Sequence, residues 1–158
     1  MTWARRGHTP RLQRVSKRRE VSSIVGITPD GRLAARHVRG TITSAVVIDT
    51  LHYFRRRFGA WLFIVWDRLN AHRARATKRF LAAHQDQLAI AFLPAYAPDL
   101  NPEEQCNAWV KRDMQNAVPA TVDELARSAR RSFRRLQRHP TMIVNFFRHA
   151  GLDVNGLS

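Results

Sequence analysis

The sequence predicts an α/β domain with a mixed sheet flanked by helices. Three observations carry this. Short apolar runs of strand length alternate with longer stretches whose apolar residues recur every three or four positions. A turn-forming tetrapeptide joins the first two runs, which makes them a hairpin. The next two runs are separated by a helical stretch, the kind of connection a parallel pair needs. The chain has 158 residues, enough for one domain with a buried core.

The elements follow in order. Residues 1–20 are basic and nearly free of acids, and read as a basic lead-in. VSSIVGI at 21–27 reads as a strand, TPDG at 28–31 as a turn with Pro29 and Gly31 at turn positions, and RLAARHV at 32–38 as the second strand. Between Thr43 and Arg57 the apolar spacing of Val47, Leu51, Phe54 and Phe58 is helical, and Gly59 closes it. WLFIVWD at 61–67 is six apolar residues ending in an acid, expected to be a strand buried on both faces. His72 to Gln85 reads as a helix packing through Ala76, Phe80, Leu81 and Ala83. Leu88 to Leu93 is another short strand, followed by the proline-rich loop PAYAPDLNP. Helices are expected over Pro102–Asn116, Thr121–Arg138 and Pro140–Ala150, with Gly151 as the last stop. The organisation is a lead-in at 1–20, a core at 21–116 and basic C-terminal helices at 117–158 packed on it.

Composition narrows the function. There are 27 Lys+Arg against 12 Asp+Glu, a net charge of +15 and a pI near 11.7. Only Lys17, Lys78 and Lys111 are lysines, so arginine supplies nearly all of it. Charge of this size points to a polyanionic partner, nucleic acid above all. Arg127, Arg130, Arg131, Arg134, Arg135 and Arg138 spread over a broad face of one helix, a surface for phosphates or a solvated face. Arg5, Arg6, Arg11, Arg14, Arg18 and Arg19 pose the same alternatives in the lead-in. The longest apolar run, Trp61 to Trp66, is too short to span a bilayer, and mean hydropathy is -0.38, so no membrane partner is expected. One cysteine, Cys106, forms no internal disulfide and no zinc set, and suits a reducing cytoplasm. No glycine-rich phosphate loop of the GxxxxGK[ST] type occurs, so a nucleotide cofactor is not expected.

Two acids stand out. Asp67 follows a buried strand, at the sheet edge where open α/β folds bind ligands, although an acid there also terminates strands. Glu104 lies in DLNPEEQ near a helix start. There it would also complete a capping box with Asn101, behind Pro102 at the first helical position. A strand–helix–strand–helix unit returns the second acid beside the first. Paired carboxylates of this kind hold divalent metals, which clamp a phosphodiester.

WLFIVWDRLNAH followed by LAIAFLPAYAPDLNPEEQ resembles the mariner-type DDE transposases, in their bacterial insertion-sequence branch. In that family a strand ends in the second catalytic Asp, with a His five residues on, which here are Asp67 and His72. A motif of the form LPxYxPxLNPxE ends in the third acid; LPAYAPDLNPEE places that role on Glu104 rather than Glu103. TWARRGHTP resembles the stretch just after the first catalytic Asp. The resemblance implies a ribonuclease-H-like fold and two Mg²⁺ or Mn²⁺ ions held by Asp67 and Glu104. It also implies cutting and joining of double-stranded DNA at element ends and target. His72 would position the site or contact DNA, with Arg127, Arg130, Arg131, Arg134 and Arg138.

Two departures follow. The family's opening strand, with its first Asp, has no counterpart in the sequence, and neither Asp30 in a turn nor Asp49 in a helix replaces it. Asp99 reads as a turn residue. The family's aromatic three residues after the Glu is here Asn107, with Trp109 two further on. The expectation is therefore a transposase catalytic domain lacking its first strand and inactive alone. The missing Asp is expected from an upstream frame product, with a decayed gene or a wrongly chosen start as the alternatives, and a homodimer is the other partner expected. The rivals are a non-catalytic DNA-binding remnant that inhibits full-length transposase, and a cellular nuclease of the same fold.

Overall fold

The computed structural model describes residues 21–94, 98–115 and 119–152. The lead-in with its arginines and Tyr96 lie outside the described residues.

The hairpin forms as expected. Strands β1 (Val21–Ile27) and β2 (Leu33–Arg39) pair antiparallel, Val21 opposite Arg39 and Ile27 opposite Leu33. At the turn, Gly31 N donates to Thr28 O at 2.9 Å, and Arg32 Nε reaches Asp30 at 2.8 Å. Gly31 has φ 88°, and a Cβ there would sit 2.7 Å from the Pro140 carbonyl oxygen. Both the left-handed backbone and the close neighbour demand glycine. Gly31→Ala should cost about 1–3 kcal/mol of stability, measured by urea unfolding; an unchanged midpoint would show the turn tolerates a side chain.

Helix α1 (Ser44–Phe58) starts where Thr43 accepts from Val46 N and stops at Gly59, whose N–H donates to Arg55 O at 3.1 Å. Its buried face is Val47, Thr50, Leu51 and Phe54, the predicted spacing. This helix roofs both halves of the fold. Phe54 and Phe58 press against Gly26 of β1, where a Cβ would come within 2.9 Å of the Phe58 ring. Val47 and Leu51 pack with Ile24 from the hairpin and with Leu62, Ile64 and Trp66.

Those last three residues belong to β3 (Leu62–Trp66). It pairs parallel with β4 (Leu88–Phe92), Leu62 opposite Leu88 and Trp66 opposite Phe92. The connection is two helices, α2 (Asn70–Arg73) and α3 (Arg75–Ala82), rather than the single expected one. Ala74 breaks it with an extended ψ of 150°. Thr77 is buried at the break and donates to Ala71 O at 2.7 Å. Of the four expected packing residues, Phe80 and Leu81 pack on the core, whereas Ala76 and Ala83 are exposed.

Strand β3 is not buried on both faces. Phe63 is 60% exposed, Val65 51% and the preceding Trp61 59%. Among the described residues only the α1 side is covered, and the C-terminal helices pack on the hairpin instead. These are α4 (Pro102–Asp113), α5 (Val122–Gln137) and α6 (Pro140–His149). Cys106 and Val110 of α4, Phe133 and Leu136 of α5, and Ile143 and Phe147 of α6 make one cluster with Leu33 of β2. Asp113 ties two of these helices together, accepting from Ser132 Oγ and Arg135 Nη1, both at 2.6 Å. Among the described residues the strands therefore form two two-stranded sheets, one antiparallel and one parallel, which share α1. No described helix is long and apolar enough to cross a membrane.

Candidate active site

Asp67 leaves the end of β3 and is held in place locally. Its Oδ1 accepts from Leu69 N at 3.0 Å and lies 2.9 Å from His72 Nδ1. His72 in turn stacks on Trp66, ring centroids 4.2 Å apart and nearly coplanar at 4°. The imidazole side chain is only 11% exposed, whereas the Asp67 carboxylate is 59% exposed. The sandwich fixes the histidine, and the histidine fixes one carboxylate oxygen, leaving the other toward solvent. His72 thus sits against Asp67 and Trp66 rather than on an open surface. Trp66 Nε1 is buried with no partner among the described residues, an unspent donor at the same strand end.

The second acidic element is the first turn of α4. A 3-10 turn at Pro98–Leu100 leads in, Asn101 accepts from Glu103 N at 3.2 Å, and Pro102 opens the helix. The capping box expected with Glu104 does not close: among the described bonds only the Glu104 backbone N–H returns to Asn101 O, at 3.1 Å. The reciprocal box appears instead on α5, where Thr121 accepts from Glu124 N and Glu124 accepts from Ala120 N at 2.7 Å. The Glu104 carboxylate is exposed and uncommitted by capping.

Glu103 points inward. Burial, and then the charges of Glu104 and Asp67, push its pKa up to about 7 against the opposing effects of Asn107 and Lys111. Asp67 therefore lies within electrostatic reach of the α4 acids. Three carboxylates repel one another in a protein of net charge +15. They do not close into a ligand set: among the described residues no three His, Cys, Asp or Glu side chains converge on one metal position. The arrangement has a structural cause. Asp67 is carried by the parallel pair, while α4 is seated on the hairpin half. The charge of Asp67 nonetheless acts on Glu103.

The motif gives the third-acid role to Glu104 rather than Glu103, but the periodicity of the sequence alone leaves open which neighbour faces the site. Glu103 precedes Cys106 by three positions and Val110 by seven, and both are buried, so the three share the inward stripe of α4. That same burial pushes the Cys106 thiol up to about 12, with Glu103 adding to the shift, which leaves it without nucleophilic character. Arg127, Arg130, Arg131, Arg134 and Arg138 are all exposed along α5 and its C-terminal cap. Arg135 is engaged by Asp113.

Comparison with known proteins agrees with the motifs. No curated protein matches the chain. A solved Mos1 transposase paired-end complex with left transposon end is similar at 16% identity and a TM-score of 0.47, over 96% of this chain and 51% of that one. A Mos1 mariner paired end complex with Mn is similar at 18% identity and a TM-score of 0.49, over 95% of this chain and 50% of that one. The chain spans about half the length of both. The sequence model of a family described as DDE superfamily endonuclease matches residues 1–126, and the chain accordingly belongs to the DDE superfamily endonucleases.

Proposed function

We propose that the chain is the catalytic-domain portion of a DDE-type transposase, of the insertion-sequence kind, acting on double-stranded DNA. The observation that carries this is family membership over residues 1–126, together with the charges of Asp67 and Glu104 that both act on Glu103. In this reading the hairpin and the parallel pair are parts of one ribonuclease-H-like sheet.

The donor set fits a divalent cation in part. Hard carboxylate oxygens suit Mg²⁺ or Mn²⁺, and their mutual repulsion is the kind a dication relieves. Asp67 and Glu104 would hold the metal. Two bound ions would supply positive charge against the attacking and leaving oxygens of a phosphodiester. The protein's own residues do the rest. His72 is a positioning residue that keeps Asp67 oriented, and Asn101 and Pro102 place the first turn of α4 so that Glu104 faces solvent. Glu103, neutral at low pH, holds a proton beside them. With no third acid closing the set among the described residues, the chain by itself binds DNA without cutting it.

Calorimetric titration of the full chain with Mn²⁺ tests the assignment. Saturable binding is expected, and Asp67→Ala combined with Glu104→Ala should weaken it at least tenfold. Equal binding by the double variant would reject these ligands. Duplex DNA affinity should survive the double substitution. Nicking of plasmid by the unmodified chain would overturn its inactivity alone.

A second reading, a non-catalytic DNA-binding protein that interferes with complete transposase, is favoured by the open ligand set. It predicts no saturable Mn²⁺ binding and inhibition that the double variant retains.

A further inference from the structure

The arginines of α5 are not equivalent. Two of them, Arg127 and Arg130, line a cavity of about 260 Å³ walled on its other side by β2. Val21, His37, Val38, Arg39, Asp123 and Ala126 complete the lining. Arg127 and Arg130 are one turn apart on one helix face and have no acidic partner among the described residues. Arg131, Arg134 and Arg138 lie outside the cavity. A concavity with several guanidinium groups converging on it differs from a solvated helix face, because its charges share one ligand position.

We propose that this cavity is a phosphate-binding site that seats one backbone phosphate of duplex DNA; the proposal rests on the reading that the chain binds DNA. Three arginines face one carboxylate there. Asp123 pairs with Arg39, which orients that guanidinium and leaves Arg127 and Arg130 without an acidic partner among the described residues. Guanidinium forks match phosphate oxygens in pairs.

His37 adds a fourth donor. Its Nδ1 is 2.8 Å from Ser23 Oγ, and the ring rests against Phe133 with centroids 5.3 Å apart. That leaves Nε2 without a partner among the described residues. Burial, and then the charge of Arg130, hold the imidazole pKa below its ordinary value. The groups facing it are Arg130, Arg127 and Asp123 from α5, Ser23 from β1, and Arg39 on its own strand. A bound phosphate offsets the arginines, so the ring takes up a proton more readily when the site is filled. Binding therefore tightens as pH falls through the range where His37 titrates.

Two measurements on the full chain test this. The first is the affinity for a short duplex over a range of salt. Arg127→Gln with Arg130→Gln should weaken binding about tenfold and lower the salt slope by about one. Arg56→Gln with Arg57→Gln, the same charge loss at the exposed end of α1, should do much less. Equal losses in the two double variants would overturn the site. The second follows the His37 ring by NMR during titration with inorganic phosphate. Its pKa should rise in the parent chain and not in the Arg127/Arg130 variant. If phosphate moves His37 but the chain binds no duplex, the site stands and the DNA reading falls. If the duplex binds while neither the variant nor phosphate responds, the DNA reading stands and this site falls.

Discussion

Truncating Leu136 to alanine is expected to lower the unfolding free energy by about 2–5 kcal/mol. Leu136 is fully buried and belongs to the cluster that joins α4, α5 and α6 to β2. Four elements converge on this position, so none can move in to fill the space without leaving another contact. The missing methyl groups therefore leave a cavity instead of a repacked core. The effect extends to function. Cys106 and Val110 seat α4 against the same cluster, and α4 carries Glu103 and Glu104. Weakened packing should loosen the acidic turn and reduce Mn²⁺ affinity along with stability. Urea unfolding followed by circular dichroism reads the first effect and calorimetry the second. A loss below about 1 kcal/mol, the range of a surface substitution, would show that this cluster does not organise the helical half.

Replacing Glu103 by glutamine is expected to stabilise the chain at about pH 8 and to change little near pH 4. The direction follows from proton counts. In the unfolded chain the carboxyl titrates near 4.5, whereas in the fold it holds its proton up to about 7. Between these values the folded state binds more protons than the unfolded state, so stability falls as pH rises through this window and levels off above it. The charged form is the unfavourable one, driven by burial and by the adjacent Glu104 and Asp67. Glutamine keeps the shape and removes the charge, for a gain on the order of 3 kcal/mol above the window. Melting curves of both proteins across pH suffice. Parallel curves, with no pH-dependent gap, would mean that Glu103 is not confined with the other acids. Mn²⁺ should act in the same direction as the substitution, by lowering the pKa of Glu103 and releasing a proton as it binds.

Much of the fold was legible because local rules agree with tertiary needs. The hairpin was written in TPDG between two apolar runs, and the start of α4 in NP at 101–102, where Asn101 caps the helix. The α1 stripe of Val47, Leu51 and Phe54 is buried as its spacing requires. The connection from β3 to β4 was misread as one helix because nothing in HRARA marks the extended backbone at Ala74. Across the break the buried Thr77 hydroxyl donates to the Ala71 carbonyl, and that burial is what the local spacing does not show. WLFIVWD misled for a related reason. Continuous hydrophobicity signals what a strand can bury, and exposure depends on whether another element arrives to cover it.

The sequence by itself determined the family, the element order and the two acids worth naming. A long motif such as LPAYAPDLNPEE and a strand ending in Asp are local facts. Tertiary structure alone decided the rest. It turned Glu103 inward where the charge of Asp67 acts on it, put His72 between Trp66 and the carboxylate, and separated Arg127 and Arg130 from Arg131, Arg134 and Arg138 by walling them against β2. Each of these depends on residues brought together across the fold, and burial and charge act through space, whereas periodicity acts only along the chain.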